Sequence, residues 1–286
     1  MYATVRIHAI GVNRIDLLQL AGQYPSIDKN KVPGIEVAGT RLDTGERVFA
    51  LLTSGGYNKE IKINKNLLYN IPDNIDYINA AAIPEAIVTT WLNLYKLGNI
   101  HHCSNIFIHG GANGICSTMI QFALSEGKNV LTTSRYIKKL QYLKNFKNCQ
   151  LVALDRFDNN ITQKILNIDL IVDILGDQYF NKNLSILAQH GRLISTAVMS
   201  CKTSKIDLAK ILMKNLTIIG STLVNKSIKR KTLLFKEACN ALLPKFTKGI
   251  IKPLISRTYK FSELQKAHDL LKSNGNIGKV VLTLDL

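Results

Sequence analysis

Residues 109–116 read HGGANGIC, between the apolar run NIFI and the helical stretch STMIQFALSEG. Glycines placed after a strand-like run and before a helix-like one form a turn in which backbone N–H groups can approach an anion. Gly111 permits the tight turn out of the strand. Gly114 leaves the start of the helix, with Asn113 and Ile115 beside it, open to the pyrophosphate of a dinucleotide. A small last position lets the helix pack close to the strand, and here it is held by Cys116, larger than glycine but compact and apolar. A glycine turn alone is weak evidence, since many tight turns need glycine. The flanking strand and helix make it specific.

Discrimination between dinucleotides is decided about 20 residues further on, where an acid grips the ribose hydroxyls of NAD. This chain reads LTTSRYIKK there, with no carboxylate but with Ser134, Arg135, Lys138 and Lys139. A hydroxyl and cations suit the extra charge of a 2′-phosphate, so NADPH is expected over NADH. The competing reading of these residues is a solvated helix start.

The elements that would position such a site alternate from about residue 104 to 222. NIFIH, NVLTTS, CQLVALD, IDLIVDIL, RLISTA and LTIIGST read as strands. GICSTMIQFALSEG, IKKLQYLKNFK, NNITQKILN and YFNKNLSILAQHG read as helices between them. Strands apolar throughout and separated by helices predict an α/β, doubly wound parallel sheet of the Rossmann type. Before residue 91 the chain has short β-rich runs broken by VPG, TSGG and IPDN. The tail predicts a long helix around KRKTLLFKEACNALLPKFTKG, a strand, a helix with Ser262 as N-cap, and a last strand that returns to the first lobe.

Composition excludes several classes. No apolar run approaches the roughly 20 residues that span a bilayer, so no membrane partner is expected. The start, MYATVRIHAIGVNRID, lacks the pattern of a signal peptide, so a soluble cytoplasmic protein is expected. The five cysteines are scattered without a CxxC pair, which predicts reduced thiols and no zinc knuckle. The HHC run at 101–103 places neighbouring side chains on opposite faces of an extended chain, so no metal is expected there. The net charge of +17 raises nucleic acid as a partner. The excess is spread along the chain with little aromatic interleaving, which favours a solvated basic surface over a polyanion-binding face.

Six ordered stretches, GVNRIDLLQLAGQYP, PGIEVAGT, GERVFALLTSGGY, AAIPEAIVTTWLNL, IHGGANGICSTMIQFA and NGNIGKVVL, resemble the zinc-free quinone oxidoreductases of the medium-chain dehydrogenase/reductase superfamily, relatives of zeta-crystallin. The likeness covers nearly the whole chain. It implies a GroES-like, β-rich catalytic lobe, shortened at its N-terminus, from residues 1–90 and 250–286, with a Rossmann domain at 91–249. It also implies a homodimer that passes hydride from NADPH to a quinone or another conjugated carbonyl or alkene, without zinc. Asn13 matches a position near the nicotinamide and Tyr24 an aromatic on the substrate side, and both are the catalytic candidates. Thr89 matches a residue at the cofactor cleft, Lys139 the 2′-phosphate lysine, and Gly176 a glycine along which the cofactor lies. Departures are Cys116, Asp177 where a second glycine is common, and Val224 where relatives carry arginine.

Three readings stay open. One is an NADPH-dependent quinone or enone reductase. Another is a free-standing enoyl reductase of a biosynthetic pathway. A third is a non-catalytic relative that binds a nucleotide or RNA. No His/carboxylate pair at fixed spacing offers a proton donor, which leans the sequence toward a quinone or small enone.

Overall fold

The computed structural model of the protein describes residues 1–23, 32–143, 149–153, 167–176, 179–199 and 203–284. Contacts divide the chain into a first unit of Met1–Thr89, Asn113–Thr118 and Leu223–Leu286 and a second of Thr90–Ala112 and Met119–Thr222.

In the first unit, β1 (Tyr2–Val12) alternates buried and exposed residues along its first half and is buried continuously over its last four residues. Helix α1 (Arg14–Leu20) follows, then β2 (Glu36–Arg41), β3 (Arg47–Leu51), β4 (Glu60–Asn64) and β5 (Leu68–Asn70). Strand β1 holds the sheet together by pairing antiparallel with β4 along its start and with β2 across its middle and end. Helices α2 (Tyr77–Ala81) and α3 (Pro84–Thr90) come next, and a π-helical turn, Trp91–Leu97, continues from α3 as the chain enters the second unit.

The second unit carries β6 (Asn105–Ile108), α4 (Gly114–Ser125, its first residues grouped with the first unit), β7 (Asn129–Ser134), β8 (Cys149–Ala153), β9 (Ile168–Asp173), α5 (Phe180–Ile186), β10 (Leu187–Ser195), α6 (Leu208–Met213) and β11 (Thr217–Gly220). All pairs in this sheet are parallel, in the order β11-β10-β9-β6-β7-β8. That is the doubly wound order, with its switch point between β6 and β9. Phe107, Ile171, Leu184 and Leu193 form part of its core. Each such side chain contributes about 1.5–3 kcal/mol of burial free energy.

The chain then gives α7 (Ile228–Thr247), β12 (Ile255–Lys260), α8 (Leu264–Lys272) and β13 (Lys279–Thr283). Strand β13 pairs antiparallel with β1, Ala9 opposite Thr283 through Val12 opposite Val280, so the last strand does return to the first lobe. Val5, Ile7, Ile10, Val37, Val48, Val280 and Leu282 make its core.

Three elements differ from expectation. The helix expected through SILAQHG ends at Ile186, and β10 begins at Leu187. The ammonium of Lys214 takes the carbonyls of Leu184, Ser185 and Leu187, which stops the helix, and His190 sits at φ 63 within the bulged strand. Residues 137–143 form 3₁₀ turns instead of an α-helix. Ser262 lies inside a 3₁₀ turn, Phe261–Glu263, and caps nothing; the Glu263 carboxylate instead accepts the Lys260 N–H at 3.2 Å. The helix expected over NNITQKILN lies outside the described residues.

Candidate functional site

The glycine turn leaves the end of β6 at the switch point, where open α/β sheets bind their ligands. His109 donates its N–H to Val172 of β9 at 3.0 Å. Gly110 then takes φ 73, so it is this glycine, and not Gly111, that needs left-handed freedom. Gly111 is required for space, because a Cβ there would lie 2.2 Å from Thr132 Oγ1. Its carbonyl accepts the Tyr142 hydroxyl. Asn113 precedes α4, and its Oδ1 accepts the Cys116 N–H at 2.7 Å while its Nδ2 donates to the Cys116 sulfur at 3.1 Å. The rest of the first turn, including Gly114 and the partly exposed Ile115, supplies N–H groups that have no intrahelical acceptor. Cys116 is buried, and that burial pushes its thiol up to about 12, as suits a packing residue.

A neutral chain of hydrogen bonds stands behind this turn. The Gly110 N–H donates to Thr133 Oγ1 at 3.2 Å, and Thr133 Oγ1 meets His109 Nδ1 at 3.1 Å. His109 Nε2 lies 2.9 Å from Asn183 Oδ1, which only accepts, so Nε2 carries the proton. His109 is fully buried, and burial lowers its pKa. Across the switch point, the buried Asp173 carboxylate accepts the N–H groups of Leu175, at 2.7 Å, and Gly176, which sits at φ 71. Gly111 and Gly176 thus each stand three residues past the end of a strand, β6 and β9, on either side of the switch point.

Strand β7 ends at Ser134, whose hydroxyl accepts the Tyr136 N–H at 3.3 Å. Arg135 is exposed, and Lys139 is half-buried with its ammonium 5.9 Å from the Tyr136 ring. Desolvation lowers the Lys139 pKa. No carboxylate stands on the stretch from Ser134 to Leu143.

The first unit holds a second polar cluster of another kind. Glu36 on β2 and Lys279 on β13 form an ion pair whose side chains are 0% and 3% exposed. Asn13 Nδ2 donates to Glu36 Oε1 at 2.8 Å, and Asn13 Oδ1 accepts from Lys279 at 2.7 Å. The other Glu36 oxygen accepts the N–H of Glu85, in the first turn of α3, at 2.8 Å. Asp16, fully buried on α1, accepts the Asn13 N–H at 2.8 Å and the Tyr57 hydroxyl at 2.9 Å. Having spent its proton on Asp16, Tyr57 can only accept from His268 Nε2, 3.2 Å away. Space for these groups is made by glycine. A Cβ on Gly11 would lie 2.2 Å from Glu36 Oε1, and one on Gly114 would lie 2.3 Å from the Lys279 stem. Burial, reinforced by the nearby Glu36, raises the Asp16 carboxyl to about 7. The Glu85 carboxyl is also raised to about 7, by desolvation and by Glu36, although part of the residue still reaches the surface. Thr89, one helical turn on, donates its hydroxyl to Glu85 Oε1 at 3.0 Å.

Of the residues expected from sequence, Gly111, Ser134, Arg135, Lys139 and Gly176 lie in the second unit, around the carboxyl ends of β6, β7 and β9. Asn13, Thr89, Asn113, Gly114 and Ile115 lie in the first, where Asn13 and Gly114 both meet Lys279. Tyr24 and Asp177 lie outside the described residues. Gly110, Glu36, Lys279 and Glu85 went unnoticed in the sequence. Lone charges inside the apolar stretches GIEVAG and IGKVVL were the available signal. Among the described residues, no three His, Cys, Asp or Glu side chains converge as metal ligands, and no helix is long and apolar enough to cross a membrane.

Residues 151–282 match the family model described as zinc-binding dehydrogenase. The quinone oxidoreductase of Rattus norvegicus is 27% identical over 302 residues, covering 98% of this chain and 88% of that protein. The quinone oxidoreductase of Thermus thermophilus, solved alone and with NADPH, superposes with a TM-score of 0.87 at 25% identity, covering 99% of this chain and 91% of that one. The CurK enoyl reductase shares the fold, with a TM-score of 0.85 at 18% identity over 99% of this chain and 91% of that one.

Proposed function

We propose, from the premise that this chain is a relative of the quinone oxidoreductases of the medium-chain dehydrogenase/reductase superfamily, that it passes hydride from NADPH to a quinone or another conjugated carbonyl or alkene. One observation carries the reading. The strand–glycine–helix turn, with Gly110 at φ 73, stands at the switch point and is followed by a β7 end that offers Ser134, Arg135 and Lys139 without an acid. The NADPH complex of the Thermus thermophilus relative supports it.

When bound, NADPH supplies the hydride and its electron pair. The residues of this chain bind and orient. Backbone N–H groups at the start of α4 hold the pyrophosphate, and Gly111 keeps the turn tight enough for its approach. Ser134, Arg135 and Lys139 hold the 2′-phosphate. Gly176 lets the cofactor lie along the ends of β6 and β9. Asn13, with both ends of its amide engaged by Glu36 and Lys279, acts as a positioning residue near the nicotinamide, beside Thr89. The reaction needs no zinc, the protein works in the cytoplasm, and β11, at the edge of the parallel sheet, is the strand through which two copies pair as a homodimer.

The test is oxidation of NADPH and NADH by the purified, chelator-treated protein with a 1,4-naphthoquinone as acceptor. Charged hydrogen bonds to the 2′-phosphate are worth about 1.5–3 kcal/mol. NADPH is therefore expected to exceed NADH in kcat/KM by about tenfold to a hundredfold. Absence of quinone-dependent oxidation with either cofactor overturns the proposal.

A further inference from the structure

We propose that Tyr142 is a positioning residue for cofactor discrimination, tying the segment that carries Lys139 to the glycine turn so that a 2′-phosphate is met in register with the rest of the dinucleotide. The inference rests on the NADPH reading above.

It begins with the way Gly111 is gripped. Its N–H donates to the Thr133 carbonyl of β7 at 3.0 Å, and its own carbonyl accepts the Tyr142 hydroxyl. Both partners come from one stretch of the second unit, β7 and the 3₁₀ turns that follow it. Gly111 is buried, so its carbonyl would be costly to leave without a donor. A peptide unit is planar and trans, so holding the Gly111 carbonyl also fixes the direction of the Ala112 N–H, the next donor of the turn.

The winding of residues 137–143 decides what else Tyr142 carries with it. In a 3₁₀ helix side chains at i and i+3 eclipse. Burial here repeats with that period: Lys138 and Gln141 are exposed, Lys139 and Tyr142 half-buried, and Leu140 and Leu143 buried. Lys139 and Tyr142 therefore share one face, about 6 Å apart along the axis at a rise of about 2 Å per residue. An α-helix would swing Lys139 about 60° off this line. The 3₁₀ run is seven residues long, beyond the three or four usual for such winding. It is held by the two leucines on one face and by the Tyr142 hydroxyl on another. The face that touches the glycine turn is thus the face that carries the cation proposed for the 2′-phosphate.

The experiment titrates the purified full chain with NADPH and NADH by fluorescence, in the wild type, Tyr142→Phe, Lys139→Ala and the double variant. Tyr142→Phe keeps the ring and removes the hydroxyl, and its fold is checked by urea midpoint. NADPH affinity is expected to fall about fivefold in Tyr142→Phe, and NADH affinity by less than about twofold. In the Lys139→Ala background the same change is expected to alter NADPH affinity by less than about twofold, because the cation it positions is gone. A residue that only held the turn would weaken both cofactors alike, with or without Lys139. A second variant leaves Tyr142 intact: Lys139→Gln/Gln141→Lys moves the cation to the exposed face at constant charge, and is expected to lose the NADPH preference as Lys139→Ala does. Equal losses for the two cofactors, no loss in Tyr142→Phe, additive losses in the double variant, or a preference kept in the charge swap overturns the proposal. A wild type without NADPH preference overturns the reading beneath it, and the inference with it.

Discussion

The two units bury polarity in opposite ways. The second places a neutral relay, Thr133–His109–Asn183, and one carboxylate tied to backbone N–H groups behind its glycine turn. The first buries an ion pair and two further carboxyls around Asn13. A neutral relay has its protons fixed by geometry and serves as scaffold. A crowded set of carboxyls must decide which of them are protonated, and that decision changes with pH. The contrast separates buried polarity whose protons are fixed by hydrogen-bond geometry from buried polarity whose protonation follows pH.

Removing one partner of the ion pair should have the largest effect. Lys279→Met strands a buried carboxylate and is expected to cost about 3–5 kcal/mol, most of it recovered in the Glu36→Leu/Lys279→Met double variant. Asn183→Ala removes a neutral partner of His109 and is expected to cost about 1–3 kcal/mol. Urea unfolding of the four proteins measures this, and equal losses at the two sites would erase the distinction.

The pH dependence sharpens the same contrast. The Asp16 carboxyl binds its proton more tightly in the folded chain, about 7 against 3.8, so its contribution is fully present below about pH 4 and is lost as pH rises through about 7. Stability should fall over that window by at most about 1.4 kcal/mol per pH unit for this group. Asp16→Asn should flatten the slope, and an unchanged slope would remove Asp16 from the account.

The smallest effect is expected at the departure that first drew attention. Cys116 is buried and its thiol stays protonated, so Cys116→Gly should cost about 1 kcal/mol, chiefly through backbone freedom in the first turn of α4. NADPH affinity should change by less than about threefold, equivalent to about 0.7 kcal/mol. A large gain in affinity would mark Cys116 as an obstacle to the cofactor.

What was legible in the sequence follows this division as well. The parallel sheet could be read from NIFI, NVLTTS and IDLIVD because strands buried on both faces are apolar throughout. The glycine turn could be read too, but not which glycine carries the positive φ, since that depends on how Thr132 and Thr133 of β7 meet the turn. The second half of β10 was legible as the strand RLIS, but its first half, LAQHG, has helical spacing with SI before it, and the contact that marks the helix end there comes from the distant Lys214. The charged cluster was hidden for a different reason. Glu36 and Lys279 lie far apart in the chain and meet only because β13 comes back beside β1, which pairs on its other edge with β2.

The most direct test of the central claim is a fluorescence titration of the purified protein with NADPH and NADH, repeated with Lys139→Glu. The account predicts that NADPH binds about tenfold or more tighter than NADH and that Lys139→Glu removes most of this preference. Equal binding of the two cofactors, or binding of neither, would contradict it.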